Sequence, residues 1–352
     1  MRIRYYDYLE SLAIFIVLSF HQVWIRGDLP ATISMSFVPM AVPLFFMVHG
    51  ALILRKEPST SKQVKRFLKV LCQLYIWNTI YLVVSLATGL TSLSEITPGF
   101  LFRFYFCRAD CSGITSGHLW FIYALLVLYA LYPMLMACKN QNEKILKYVL
   151  IVCFFVSFVR QEILVYVNFF CQKFFGAVLP DEKEILGHGS YFNPLFFFLY
   201  GYFLTEWLKK HPQLKEKRKL YAPLALLGVL VGIALLVLER YVVFGTVNYN
   251  WKPLPDQYKK IGTLIAATSC FVLFSLFDFK NDKVYAVAKT ISLHSLDIFY
   301  IHVIYARLAR VYLYSPQLSG VWQNYLRALI ILVLSYLTGL ILRKIPIVKR
   351  LM

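Results

Sequence analysis

Charge is what this sequence is short of. Across 352 residues only 16% are Asp, Glu, Lys or Arg, against about 25% in a soluble globular domain. That excludes an ordinary water-soluble fold and leaves a chain whose apolar segments, 59% of it by residue type, must be solvated by lipid. Acidic residues are scarcer still, 18 against 37 basic ones. A net charge of +19 could point to nucleic acid, but that needs a basic face on a folded soluble domain. Here the basic residues sit between apolar runs, where they set membrane topology. No nucleic-acid partner is expected.

Other absences narrow the chemistry. The seven cysteines include no CxxC pair and no Cys/His set at zinc spacing, so no metal site is expected. Cys72, Cys138, Cys153 and Cys270 fall in or at the ends of apolar runs and read as small core residues. Cys107 and Cys111 share a loop, but spacing alone does not establish a bridge. There is no Gly-rich phosphate loop, GxSxG elbow or HExxH, which removes those catalytic signatures. No repeat, low-complexity linker or soluble domain interrupts the chain, so one transmembrane domain is expected over 1–352 with no appended soluble domain. The first apolar stretch lacks a small-residue cleavage site and a second follows soon, so a retained span is expected rather than a cleaved leader.

What the chain does have is apolar runs of membrane length. Hydropathy predicts ten spans, near 8–25, 33–54, 67–88, 118–137, 145–166, 191–208, 221–240, 259–277, 290–311 and 325–343. The expected fold is an all-α, multi-pass helical bundle of the plasma membrane. Lys and Arg alternate in density between the connections, and 24 of the 37 fall on one side, including the 55–69 and 209–219 clusters. The positive-inside rule then puts both termini in the cytoplasm. The sparse side holds the loops 89–117, 167–190 and 241–258. The first contains FLFRFYF at 100–106, an interfacial or re-entrant segment or a plain aromatic anchor. The last contains Tyr249, Trp251, Pro253 and Pro255, a plausible wall for a sugar.

Within this apolar background the ionisable residues stand out. The first stretch, YLESLAIFIVLSFHQVWI, carries Glu10 and His21 eleven residues apart, on one helical face and roughly 16 Å apart along the axis. Groups of this kind are costly in hydrocarbon and tend to mark a functional face. His21 has the chemistry of a general base, able to take a proton from a hydroxyl at neutral pH. A histidine hydrogen-bonded in the bundle without chemistry is the plain alternative. Asp7 and Glu10, one turn apart at the inner end of the helix, could hold a cationic group or simply favour the helix N-terminus, which is the expected role of Asp7. His49 beside Gly50, and His118 with Trp120, are further pocket candidates, as are His294 and Asp297, spaced to share a face while His302 falls on another. Arg160 and Glu162 are expected to find partners on other helices, and Glu239 with Arg240 to end a span.

Four stretches resemble a known family. YYDYLESLAIFIVLSFH resembles the first-helix signature of the acyltransferase-3 integral membrane acyltransferases, the bacterial group that O-acylates surface glycans. VPLFFMVHGALILRK is similar to its second-helix pattern, HLWFIYALLVLYALYP to its HLWF-type helix and IFYIHVIYARL to its penultimate helix. Their order and the closing KIPIVKRL extend the resemblance over essentially the whole chain. It implies acyl-CoA, by default acetyl-CoA, as a cytoplasmic co-substrate with no bound cofactor. The implied acceptor is a hydroxyl of a glycan or lipid-linked sugar on the outer side. It also implies that His21 occupies the family's essential histidine position. The family's basic residue, eleven positions earlier, is Glu10 here, and a carboxylate cannot pair with CoA phosphates as arginine does. Arg4, Arg55, Lys56 and Arg66 are the candidates to replace it at the donor. The alternative class is a transporter or flippase of lipid-linked or polymeric glycan, with intramembrane ions along its pathway. Such proteins often show internal repeats, and none is seen. A catalytically silent partner in an envelope assembly complex is a third reading.

Overall fold

A computed structural model describes residues 3–21, 27–55, 59–106, 117–177, 192–248, 254, 256–313, 315 and 319–346. Among them there is no strand. The helices are α1 (Arg4–His21), α2 (Leu29–Ser36), α3 (Ala41–Ile53), α4 (Thr60–Ala87), α5 (Pro98–Phe106), α6 (Trp120–Phe154) and α7 (Arg160–Phe175). They continue as α8 (Phe192–Lys210), α9 (Arg218–Phe244), α10 (Ile261–Ser275), α11 (Asp282–Leu293), α12 (Ser295–Tyr312) and α13 (Val321–Leu342).

The boundaries follow from local chemistry. Asp28, Ser59 and Asn281 cap α2, α4 and α11, each accepting from backbone N–H groups that the first helical turn leaves without partners. Asn142 breaks α6 with non-helical dihedrals, and its side chain accepts from Lys144 N at 3.0 Å, so a second helical segment restarts there. α7 and α9 stop at Gly176 and Gly245, both in the left-handed region that glycine enters freely.

Where they are described, the ten expected spans overlap helix, with four changes. The second is broken by the 3-10 turn Val38–Met40 between α2 and α3. The fifth continues through a π-turn, Phe155–Val159, into α7 and reaches Phe175, so 167–175 is helix rather than loop. The eighth is the 15-residue α10. The ninth is broken at His294, which ends α11 and starts α12. Among the described residues, five stretches are long and apolar enough to cross a membrane by themselves: Leu29–Ile53, Ser61–Ala87, Gly117–Phe175, Arg218–Phe244 and Val321–Leu342. The outward faces of α9 and α13 expose Leu226, Leu230 and Leu238, and Ile330, Val333 and Leu337. Inside lie Asp7, Asn78, His118, Asp297, His302 and Asn324. Apolar surface outside and polar groups within is the pattern of a bundle solvated by hydrocarbon. The protein is an all-α membrane bundle.

α1 runs through its middle, packed against α3, α10, α11, α12 and α13. Ser11 Oγ donates to Ala288 O, Asn324 Nδ2 donates to Ser19 O, and Tyr6 OH meets Thr205 Oγ1. α3 and α8 touch backbone to backbone: a Cβ at Gly50 would lie 1.8 Å from Phe198 O, and one at Gly201 2.1 Å from Met47 O. Gly50 thus makes the close backbone approach that only a residue without a Cβ permits. Lys260 and Glu239 form an ion pair at 2.6 Å with both side chains buried, and α9 continues past it to Phe244, so Glu239 and Arg240 lie within a helix instead of ending it. Glu162 Oε1 accepts from Ile261 N at 2.6 Å, a partner on another helix. At the basic end Lys215 pairs with Asp278 and, chiefly through that hydrogen bond, holds its carboxyl below the ordinary range.

Of the 100–106 segment, Phe104 packs in a small cluster with Leu82 while Phe102 and Phe106 stay exposed. Cys153 and Cys270 are buried, Cys138 is half-buried and Cys72 is exposed at the bundle surface, so the last is not a core residue. Cys107, Cys111, Lys56, Tyr249, Trp251, Pro253 and Pro255 lie outside the described residues.

Candidate active site

α1 ends at His21, α6 is preceded by the single turn Gly117–Leu119 that carries His118, and α12 carries His302 near its middle. These three converge. Ring centroids are 5.1 Å apart for His21 and His302, 5.7 Å for His118 and His302, and 6.0 Å for His21 and His118. Phe299 closes one side, 5.3 Å from His118 and 5.9 Å from His302.

Geometry fixes two of the three tautomers. Tyr81 OH donates to Tyr300 O at 2.7 Å, so its single proton is used. His118 Nε2, 3.1 Å from the same hydroxyl, is therefore the donor in that contact. His302 Nδ1 lies 2.7 Å from Phe299 O and 3.2 Å from Ile298 O. Carbonyls only accept, so Nδ1 carries the hydrogen and Nε2 holds the lone pair. His302 is fully buried and Nε2 has no partner among the described residues. His21 is half-buried, with no hydrogen bond on either ring nitrogen among the described residues. Among the described residues no group of His, Cys, Asp and Glu is arranged to hold a metal.

The other candidates divide. Trp120 packs against Tyr258, with ring centroids 5.1 Å apart and planes tilted by 38°. His49 Nε2 meets Tyr129 OH at 2.8 Å in the middle of the bundle. His294 and Asp297 do pair, 3.0 Å from Nδ1 to Oδ2, but at the basic end, where Arg343 Nε also holds Asp297 at 2.6 Å. Glu10 Oε2 is 2.5 Å from Ser292 Oγ on α11, and Asp7 Oδ1 lies 2.9 Å from the same atom. Asp7, in the first turn of α1 as expected, is buried against α11 and also accepts from Tyr285 OH at 3.0 Å. Sequence reasoning paired His294 with Asp297 and set His302 aside on another face. That other face is the one turned to His21.

Of the donor candidates, Arg4 is engaged by Phe279 O and Asp282 at 3.0 and 2.8 Å, and Arg55 by Glu206 at 3.0 Å. Arg66 is exposed over the Tyr129 ring, 5.7 Å away, and forms no ion pair among the described residues. Arg66 and Tyr81 stand on one helix about 22 Å apart along its axis. Between them lies a polar face bearing Gln73 and Asn78, with Gln63 one turn before Arg66. Gln63 and Asn78 are buried, and both side-chain amide atoms of Gln63 and Asn78 Oδ1 lack partners among the described residues. A groove of about 660 Å³ opens elsewhere, between α8, α9 and α10, lined by Phe203, Trp207, Tyr221 and Leu224 and by none of the histidines.

No curated protein and no solved structure matches the chain. A family model described as an acyltransferase domain matches residues 3–344. With nearly the whole chain so covered, the protein belongs to the acyltransferase-3 family and is a membrane acyltransferase.

Proposed function

We propose that the protein moves an acyl group, by family default acetyl, from cytoplasmic acyl-CoA to a hydroxyl of a surface, capsular or exopolysaccharide glycan. The observation that carries this reading is the histidine cluster, where a half-buried imidazole with no hydrogen bond among the described residues stands beside a buried nitrogen lone pair. An alcohol attacks a thioester slowly because its proton must leave as the new bond forms. His21 takes that proton, the alcohol oxygen bonds to the thioester carbon, the carbon–sulfur bond breaks, and the imidazolium returns the proton to the CoA sulfur. The α4 face suits the donor arm. Arg66 at the basic end meets the phosphates, Gln63 one turn before it stands beside the nucleotide end, and Asn78 Oδ1, without a partner among the described residues, accepts from an amide N–H of the pantetheine chain. The distance from Arg66 to Tyr81 is on the scale of that arm in extended form.

The same reading sets the protein in the plasma membrane as a multi-pass chain with both termini inside. Cysteine-accessibility labelling in intact cells checks the orientation, and an outside-accessible 209–219 cluster would reverse it. The activity is tested by incubating membranes with and without the gene with radiolabelled acetyl-CoA and following label into glycan. Transfer that depends on the gene is expected; equal labelling in both membranes removes the proposal.

A further inference from the structure

His302 is not among the residues that the reaction above uses, yet its imidazole is fully buried and held through Nδ1. The carbonyls of Ile298 and Phe299, one turn earlier on α12, take its Nδ1 hydrogen. The Nε2 lone pair is therefore held in one direction, inside a fully buried side chain, with no partner among the described residues. A buried acceptor left this way is costly and calls for a functional explanation. Of its two histidine neighbours, His118 has its Nε2 hydrogen committed to Tyr81. His21, with its ring centroid 5.1 Å away, has neither nitrogen engaged among the described residues. Two imidazoles joined nitrogen to nitrogen by a hydrogen bond of about 3 Å have centroids roughly 5 Å apart. A turn of the His21 ring about its side-chain bonds is enough to join them.

We infer that His302 is the positioning residue for His21. Its fixed Nε2 accepts the N–H of His21, which leaves the other His21 nitrogen as the base facing the acceptor hydroxyl. The inference rests on the acyl-transfer reading and adds the group that sets the base's tautomer. When His21 takes the alcohol proton, the hydrogen bond to His302 spreads the new positive charge over two rings. The proton then leaves with the CoA sulfur, and both histidines end neutral. In soluble acyl-transfer enzymes a carboxylate orients the histidine. A neutral acceptor does that work without placing a second ion in hydrocarbon, where ions are expensive.

The test uses the full chain in native membranes, with transfer from acetyl-CoA normalised to folded protein. His302→Asn keeps a donor for the Phe299 carbonyl and removes the far nitrogen; His302→Gln reaches far enough to offer an acceptor there. For His302→Asn, kcat is expected to fall about 10²-fold while KM for both substrates stays within about twofold. His302→Gln should recover part of the loss. In the His21→Ala background His302→Asn should cost almost nothing further, since residues acting as one unit are not additive. A structural role predicts the reverse: less folded protein, unchanged kcat per folded molecule and losses that add. Normal kcat in both single variants, or additive losses in the double variant, overturns the inference and leaves the acyltransferase reading standing. Wild-type membranes without transfer overturn both.

Discussion

Trp77 lies flat on Tyr300, with ring centroids 5.2 Å apart and planes 4° from parallel. One turn further along α4, Tyr81 donates to the Tyr300 carbonyl and accepts from His118. Stack and hydrogen bond together fasten α4 to α12 beside the histidines. Both rings are buried. Trp77→Ala removes the flat contact and opens a void, a change that costs about 3–5 kcal/mol in soluble cores. The expected result is a lower melting temperature of the detergent-solubilised protein, with Trp77→Phe falling between. An unchanged melting curve would show that the stack does not hold the two helices.

Arg66 and Arg4 sit at the same end of the bundle in different circumstances. Arg4 is held by Asp282 and the Phe279 carbonyl and lies 4.5 Å from the centre of the Tyr285 ring. A guanidinium so occupied must break contacts before it can meet a phosphate. Arg66, with no ion pair among the described residues, has none to break. Arg66→Gln is expected to raise the KM for acetyl-CoA about tenfold or more with kcat much less affected, the signature of lost ground-state binding. Arg4→Gln should leave donor KM near normal. Initial rates at varied acetyl-CoA decide it, and equal KM values for Arg66→Gln and wild type would move the phosphate site elsewhere.

Gly50 and Gly201 face each other across α3 and α8, where each helix runs against the other's backbone. Added methyl groups would meet Phe198 O and Met47 O at 1.8 and 2.1 Å. Backbone cannot yield as a flexible side-chain end can, and overpacking of this kind typically costs 1–3 kcal/mol or more. Gly50→Ala and Gly201→Ala are each expected to lower the amount of assembled protein in the membrane. Gly99→Ala, where a methyl group meets nothing within 4 Å, should not. Size-exclusion profiles of fluorescent fusions compare the three.

Much of the fold was legible because lipid imposes a simple rule on sequence. Apolar runs of sufficient length become helices, and the caps at Asp28, Ser59 and Asn281 are ordinary. The continuation to Phe175 was missed because Asn168, Gln172 and Lys173 interrupt the apolar run, although a helix carries them readily. The break at His294 was missed because the residues on either side are apolar enough to read through. His21 was legible as an ionisable group deep in an apolar run. His302 carried the same mark, but its partners lie on α1 and before α6, and periodicity within α12 says nothing of contacts between helices. The contacts of Asp7 and Glu10 with Ser292 were out of reach for the same reason. Ser292, the residue they share, is 282 positions from Glu10.

His21 carries the sharpest expectation. It ends α1 beside His118 and His302, and its ring nitrogens have no hydrogen bond among the described residues. If it is the base, His21→Ala should lower acetyl transfer by roughly 10²-fold or more, the usual scale for losing general-base catalysis. The amount of folded protein should change little, because a half-buried ring without hydrogen bonds contributes less to packing than the fully buried rings around it. His118→Ala should cost less in turnover, since its Nε2 hydrogen is spent on Tyr81. His294→Ala should cost least, because that ring sits with Asp297, Arg343 and Tyr336 at the opposite end of the bundle. The measurement is acetyl transfer per amount of folded protein in the three variants. Near-normal turnover in His21→Ala would take it out of catalysis and leave it a packing residue at the end of α1.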